Sequence, residues 1–367
     1  MRDPSVASRM TYSVLDACAA RGHEQVTFFN YPEVGLKAIV AIHNTTLGPG
    51  LGGCRMRLYP SEAQALDDVL RLSEGMTYKS ALAGLPLGGG KAIIMADPSM
   101  TQGREALFRK FGECLNALAG RYISAEDMGT SVRDIMWARS VTNFVVGTDA
   151  AKGGAGDPSP WTALGVFEAM RAAVAHASGG ESSLRGKRVA VQGVGHVGMF
   201  LVELLSKAGA SIIVADPHDE SVRKAAAEYG AQGVGLDQIY DVPCDIFSPC
   251  AVGQTVNAET LKRLSCSIIA GAANNQLPDN SVYGMIAEKK ILYCPDFAIN
   301  SGGVISVSVE LAKGSPDTVW IREKVKEIYD TTSKVLEQSK ARGRFTEEVA
   351  VELAKERLAA AKSRAKP

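Results

Sequence analysis

The chain has 367 residues, 46% of them hydrophobic, and its 40 basic residues match 40 acidic ones; this suits two ordinary globular domains and excludes a disordered chain. The basic residues are scattered, so a polyanionic partner such as nucleic acid is not expected. No stretch approaches the roughly eighteen apolar residues of a membrane span and the first ten residues lack a signal-peptide core, so a cytoplasmic protein without a membrane partner is expected. Residues 13 to about 30 read as a short amphipathic helix leading into a first strand, and residues 36–43 as a second, largely buried strand. Residues 47–53 carry four glycines and a proline and read as a loop. Residues 61–72 then read as a helix, with Ser61 as its cap. The Gly, Pro and Ala-rich residues 148–160 are the expected hinge between domains. Beyond it, a helix over 162–177 precedes alternating strand and helix patterns through Val189, Ile212, Ile246, Ile268 and Ile291, and from Val319 the pattern is helical.

The alternation argues for a parallel sheet covered by helices on both faces. The expected fold is therefore α/β with two domains: an N-terminal α/β substrate and oligomerisation domain over 1–150, and a Rossmann-type doubly wound domain over 151–334. A C-terminal helix at about 335–367 is expected to pack back on the first domain. Seven widely spaced cysteines without a Cys-x-x-Cys pair read as free thiols. The five histidines offer no metal-ligand spacing, and no metal is expected.

Two stretches carry chemistry. Lys79 and Lys91 lie in a segment, residues 75–92, otherwise nearly devoid of charge. An ammonium held among apolar and glycine positions is disfavoured as a cation and is a candidate base. The second stretch, Gly193-x-Gly195-x-x-Gly198, sits between a strand pattern ending at Gln192 and a helix pattern, with a further strand ending in Asp216. In that context Gly193 allows the tight turn, Gly195 lets the backbone meet a pyrophosphate, Gly198 permits close helix packing, and the helix N-terminus favours the phosphate. The carboxylate of Asp216 suits the ribose hydroxyls of NAD and would repel the extra phosphate of NADP, so NAD is the expected cofactor.

Seven motifs in order, Thr45-Thr-Leu-Gly-Pro-Gly-Leu-Gly-Gly53, Gly75-Met-Thr-Tyr-Lys79, Gly88-Gly-Gly-Lys91, Ala125-Glu-Asp-Met-Gly129, Gln192-Gly-Val-Gly-His-Val-Gly198, Gly271-Ala-Ala-Asn-Asn-Gln276 and Asn300-Ser-Gly-Gly-Val304, resemble the amino-acid dehydrogenases, which include leucine, valine, phenylalanine and glutamate dehydrogenases. The resemblance implies reversible oxidative deamination of an L-amino acid to a 2-oxo acid and ammonia, with NAD, in a homo-oligomer. It implies that Lys79 holds the substrate carboxylate beside Gly52, that Lys91 activates water, and that Asp127 exchanges a proton with the amino group, with Glu126 as the alternative acid. It also implies that Asn300 orients the substrate, that Asn274 or Asn275 contacts the ligand beside Ala272, that Thr162 lies near the nicotinamide, and that His196 and Val197 belong to the dinucleotide turn. Where glutamate dehydrogenases carry a lysine this chain has Leu51, so an apolar substrate is expected. Ala125 and Val304 resemble leucine dehydrogenases, and with Leu51 and Val307 would line an aliphatic pocket for leucine, valine or isoleucine. An aromatic substrate is the alternative, and a non-catalytic NAD-binding regulatory protein is the reading from another class.

Overall fold

The computed structural model describes residues 13–149, 154–312 and 317–364, so residues 150–153 of the expected hinge lie outside the described residues. The described chain forms two compact units, one of residues up to Thr77 together with Pro86–Thr148, the other of Tyr78–Leu85 together with the chain from Asp149 onward.

In the first unit the elements run α1 (Val14–Arg21), β1 (Gln25–Tyr31), β2 (Leu36–Asn44), β3 (Gly50–Met56), α2 (Glu62–Leu82), β4 (Gly88–Ile94), α3 (Arg104–Asn116), β5 (Tyr122–Glu126) and α4 (Val132–Arg139). Capping follows the sequence: Ser13 accepts the Asp16 N–H and Ser61 the Gln64 N–H, both at 3.2 Å. The strand order is β1-β2-β4-β3-β5, with β2 antiparallel to both neighbours and β3 parallel to β4 and β5. Alternation along the strands separates two cores. Ile39, Ala41 and Ile93 pack under Ala65, Leu66, Val69 and Leu70 of α2. On the opposite face Ala38, Val40, Ala92 and Ile94 meet Leu107, Phe108 and Phe111 of α3 and Ile135 of α4.

The glycine-rich residues 47–53 are not one loop, because β3 begins at Gly50. Glycine weakens an isolated strand, yet here its missing side chain is what lets β3 and β4 approach. A Cβ on Gly52 would run into the Gly90 carbonyl, and one on Gly90 would lie 2.5 Å from the Tyr122 ring. The helix expected to end at residue 72 continues to Leu82, so Lys79 stands on its last turn.

The second unit contains α5 (Ser159–Ser178), β6 (Arg188–Gln192), α6 (His196–Lys207), β7 (Ser211–Ala215), α7 (Asp219–Tyr229), β8 (Gln232–Gly233), β9 (Ile246–Pro249), α8 (Ala258–Arg263), β10 (Ile268–Ile269), α9 (Tyr283–Glu288), β11 (Leu292–Tyr293), α10 (Asp296–Ile299), α11 (Gly302–Ala312), α12 (Thr318–Lys326), α13 (Ile328–Arg342) and α14 (Thr346–Arg364). Its strands are parallel and ordered β11-β10-β9-β6-β7-β8. The chain winds outward from β6 through β7 to β8, then returns to β9 and winds the other way. This is the doubly wound Rossmann order, with its switch point between β6 and β9.

The C-terminal helix α14 reaches the 78–85 segment, which groups with this second unit. Arg357 donates to the carbonyls of Ala81 at 2.7 Å and Leu85 at 3.2 Å. Val349, Ala350 and Leu353 pack with Val335, Leu82 and Phe297.

Candidate active site

In the first unit the reactive side chains are gathered on the α2 face of the sheet. Lys91 is two residues from Ile93, which belongs to the α2-side core, so its side chain shares that face. Only 6% of Lys91 is exposed, and its Nζ lies 2.9 Å from Oδ2 of Asp127. Asp127 follows the end of β5, where Thr130 Oγ1 accepts its N–H at 2.9 Å and donates to the Cys54 carbonyl. A Cβ on Gly53 would lie 2.7 Å from the Asp127 Cβ, so that glycine makes room for the carboxylate.

The same Oδ2 takes a second cation that sequence reasoning missed: Arg55 on β3 donates from Nε at 3.2 Å. The other arm of Arg55 reaches Asp68 on α2 at 3.1 Å, and Asp68 also accepts from Tyr59 Oη at 2.8 Å and Arg71 at 2.8 Å. Burial alone would raise the pKa of Asp127, but Lys91 and then Arg55 overcome it and hold the carboxyl well below the usual carboxylate range. Asp127 is therefore an ionised hydrogen-bond acceptor. Glu126 is exposed, in contrast. Leu51 is 1% exposed and pairs with Gly89 and Ile123, while Ala125 pairs with Gly53, so these two apolar positions share the Lys91 face.

The second unit assembles the remaining groups around the turn after β10. Lys79 Nζ donates to Asn274 Oδ1 at 3.2 Å, and the same oxygen accepts from Asn300 Nδ2 at 2.8 Å. Asn300 also donates to the carbonyl of Ala272 at 3.1 Å, and its Oδ1 is buried without a hydrogen-bond partner among the described residues. A buried unpaired acceptor is costly unless something else satisfies it, which fits a ligand-facing amide. It is the side chain of Asn274 that is tied to Lys79 and Asn300, while Asn275 takes the left-handed backbone conformation, φ 53°. Val304 and Val307, three apart on α11, share one buried helix face. Thr162 lies in the first turn of α5 and donates Oγ1 back to the Pro158 carbonyl at 3.1 Å.

Behind this turn Asp296 accepts the Gln276 N–H at 2.8 Å, and burial raises its carboxyl from the ordinary value. Burial, then the charge of Asp296, pushes Glu347 up to about 7. Because the folded value exceeds the unfolded one, the group favours folding fully below its ordinary range, and that contribution is lost as pH rises through about 7. Glu347→Gln should therefore melt several degrees above the parent at pH 8 and close to it at pH 4.5, the gap growing by up to about 1.4 kcal/mol per pH unit in between. Equal melting differences at both pH values would contradict this.

At the switch point, Gly193 takes φ 95° and a Cβ there would lie 2.7 Å from that of Ala251, beyond β9. A Cβ on Gly198 would strike the Gly193 carbonyl, whereas one on Gly195 would meet nothing within 4 Å. Gly195 is the N-cap of α6 and supplies no capping side chain, so the amides beginning at His196 and Val197 have no side-chain cap. Asp216 accepts the N–H of Val194 at 2.8 Å and of His218 at 2.9 Å, which fixes its carboxylate beside the turn. A glycine-walled helix start with an adjacent fixed carboxylate fits a dinucleotide. Among the described residues, no group of three or more His, Cys, Asp or Glu is placed to hold a metal, and no helix is long and apolar enough to cross a membrane.

A doubly wound parallel sheet with a glycine turn at its switch point, together with a unit carrying a lysine on a carboxylate, fits an α/β dehydrogenase. The chain belongs to the Glu/Leu/Phe/Val dehydrogenase family: residues 23–144 match the family's dimerisation domain, and residues 153–224 and 215–365 its glutamate/leucine/phenylalanine/valine dehydrogenase domain. It is thus an amino-acid dehydrogenase acting on a CH–NH2 group, and the family implies a nicotinamide cofactor. It is 47% identical over 354 residues to a leucine dehydrogenase of Bacillus cereus, covering 96% of each chain. It is 45% identical to a phenylalanine dehydrogenase of Caldalkalibacillus thermarum, covering 92% of this chain and 91% of that one. Among solved structures, the L-tryptophan dehydrogenase from Nostoc punctiforme superposes with a TM-score of 0.83 at 38% identity, covering 95% of this chain and 100% of that one.

Proposed function

We propose that this protein is an NAD-dependent dehydrogenase that reversibly converts a branched-chain L-amino acid, water and NAD to the 2-oxo acid, ammonia and NADH. The carrying observation is the buried pairing of Lys91 with Asp127 at 2.9 Å, beside the apolar Leu51, in a chain that also has a dinucleotide turn. The leucine dehydrogenase likeness supports an aliphatic substrate over an aromatic one. The cofactor supplies the hydride acceptor when bound, and the fixed carboxylate of Asp216, with no arginine among residues 217–220, supports NAD over NADP.

The chain's own residues have these roles. Lys79, linked to Asn274, would give its charge to the substrate carboxylate. Asn300 offers its unpaired Oδ1 to the substrate ammonium. Asp127, an ionised carboxylate, takes a proton from the amino group and returns one to the departing ammonia. Lys91, as the free amine, removes a proton from water as the oxygen attacks the imino carbon. Leu51 and Ala125 of the first unit exclude charge from the side-chain end of the substrate, and Val304 and Val307 are the apolar substrate-binding residues assigned to the second. The unit division at 148–149 and the family's dimerisation domain support a boundary near 150 between a substrate and oligomerisation domain and a dinucleotide domain, and a homo-oligomer; the chain from 335 onward groups with the second unit. Seven free cysteines support a reducing cytoplasm.

The test is the reverse reaction: NADH, ammonium and 4-methyl-2-oxopentanoate should give L-leucine and NAD in equal amounts. NADH binding without any product from this or the other 2-oxo acids would leave the non-catalytic reading standing.

A further inference from the structure

We infer that Arg55 is a positioning residue whose permanent charge, shared between Asp127 and Asp68, makes Lys91 the group that gives up its proton in the reactive notch. The inference rests on the proposed roles of Lys91 and Asp127.

The argument begins with one carboxylate oxygen. Oδ2 of Asp127 is gripped by Lys91 Nζ at 2.9 Å and Arg55 Nε at 3.2 Å. Lys91, Arg55 and Asp127 are largely shielded from water, with side-chain exposures of 8%, 11% and 20%, so their charges are felt strongly. Two cations on one anion cannot both be balanced by it. Asp68 supplies a second anion, but it is bound to Arg55 and Arg71 at 3.1 and 2.8 Å. Arg55 divides its charge between Asp68 and Asp127, and Asp127 divides its own between Arg55 and Lys91, so Lys91 holds less than a whole anionic partner.

A guanidinium cannot shed a proton in a protein, whereas an ammonium can. The fork of Arg55 thus does two things by geometry. It fixes Asp127 from the β3 side, and it withdraws from Lys91 part of the anionic partner that would otherwise hold the lysine as a cation. The nearby thiol and phenols add no charge to this set. Burial raises the Cys54 thiol and the Tyr122 phenol far above their usual values, so both stay neutral. Burial and the hydrogen bond to Asp68 likewise keep Tyr59 neutral. Asp134 is engaged by Arg104 at 2.7 Å.

The experiment reads Lys91 directly and through turnover. Competitive acetylation with acetic anhydride, quantified for Lys91 by mass spectrometry across pH, gives the midpoint for appearance of its free amine. The pH profile of kcat/KM for L-leucine gives the kinetic counterpart. In Arg55→Met the acetylation midpoint should rise by one to two pH units, about 10- to 100-fold in proton affinity, and Arg55→Lys, which keeps a cation, should restore most of the parent value. Asp68→Asn should move the midpoint the opposite way, because it removes an anion while keeping the shape. NADH binding and melting show that each variant is folded; if Arg55→Met fails to fold, Asp68→Asn and Arg55→Lys carry the test. Unchanged acetylation midpoints in the folded variants would overturn the inference. A shifted acetylation midpoint with an unshifted kinetic limb would keep the role of Arg55 and refute Lys91 as the base.

Discussion

Lys91→Ala is expected to lose turnover by a factor of about 10² to 10⁴, the usual contribution of a positioned acid or base, while NADH binds as tightly as in the parent. The separation follows from where the groups lie. Lys91 belongs to β4 of the first unit, and the glycine turn after β6 and Asp216 belong to the second. Removing the amine leaves Asp127 paired with Arg55 at 3.2 Å, so the carboxylate stays ionised and the fold keeps its buried ion pair, but no amine remains to take the proton of water. Lys91→Arg should be as inactive as the alanine variant, because a guanidinium keeps its proton. Steady-state kinetics with NADH fluorescence titration check both. Retained turnover in either variant would remove Lys91 from the chemistry.

The second large effect concerns substrate choice. L-glutamate is expected to react with a kcat/KM at least about a thousandfold below that of L-leucine. Leu51 is 1% exposed on β3, at the position where the family's glutamate dehydrogenases carry a lysine. A carboxylate placed there without a counter-charge costs several kcal/mol, and about 1.4 kcal/mol is worth a factor of ten. Leu51→Lys should narrow the glutamate-to-leucine ratio by 10-fold or more, chiefly through a lower KM for glutamate. Comparable rates for the two amino acids in the parent would show that Leu51 does not face the substrate side chain.

Much of this was legible in the chain because the signals are local. The turn from Gly193 to Gly198, the strands before and after it and Asp216 all lie within one βαβ stretch, and each is dictated by neighbours in sequence. The lysines stood out through the lack of charge around them. Strand β3 was harder to see, since its glycines read as a loop, and their reason lies across the sheet, where Gly52 meets the Gly90 carbonyl and Gly53 makes way for Asp127. The extension of α2 to Leu82 was hidden by Gly75, which usually weakens a helix; a Cβ at that position would meet nothing within 4 Å, so packing does not require the glycine. The two-residue strands β8, β10 and β11 are too short for periodicity to register. Arg55 escaped notice because its partners are 13 and 72 residues away, and no local spacing encodes such a pairing. For the same reason sequence did not show that the side chain of Asn274 is tied to Lys79 and Asn300.

The most direct measurement is the initial rate of NADH formation by the purified protein with L-leucine, L-valine, L-isoleucine, L-phenylalanine and L-tryptophan, each with NAD and again with NADP. The account predicts fastest turnover of an aliphatic amino acid and a marked preference for NAD. Preference for an aromatic substrate would contradict the aliphatic role assigned to Leu51 and Ala125, and no turnover with any of them would contradict the enzyme itself.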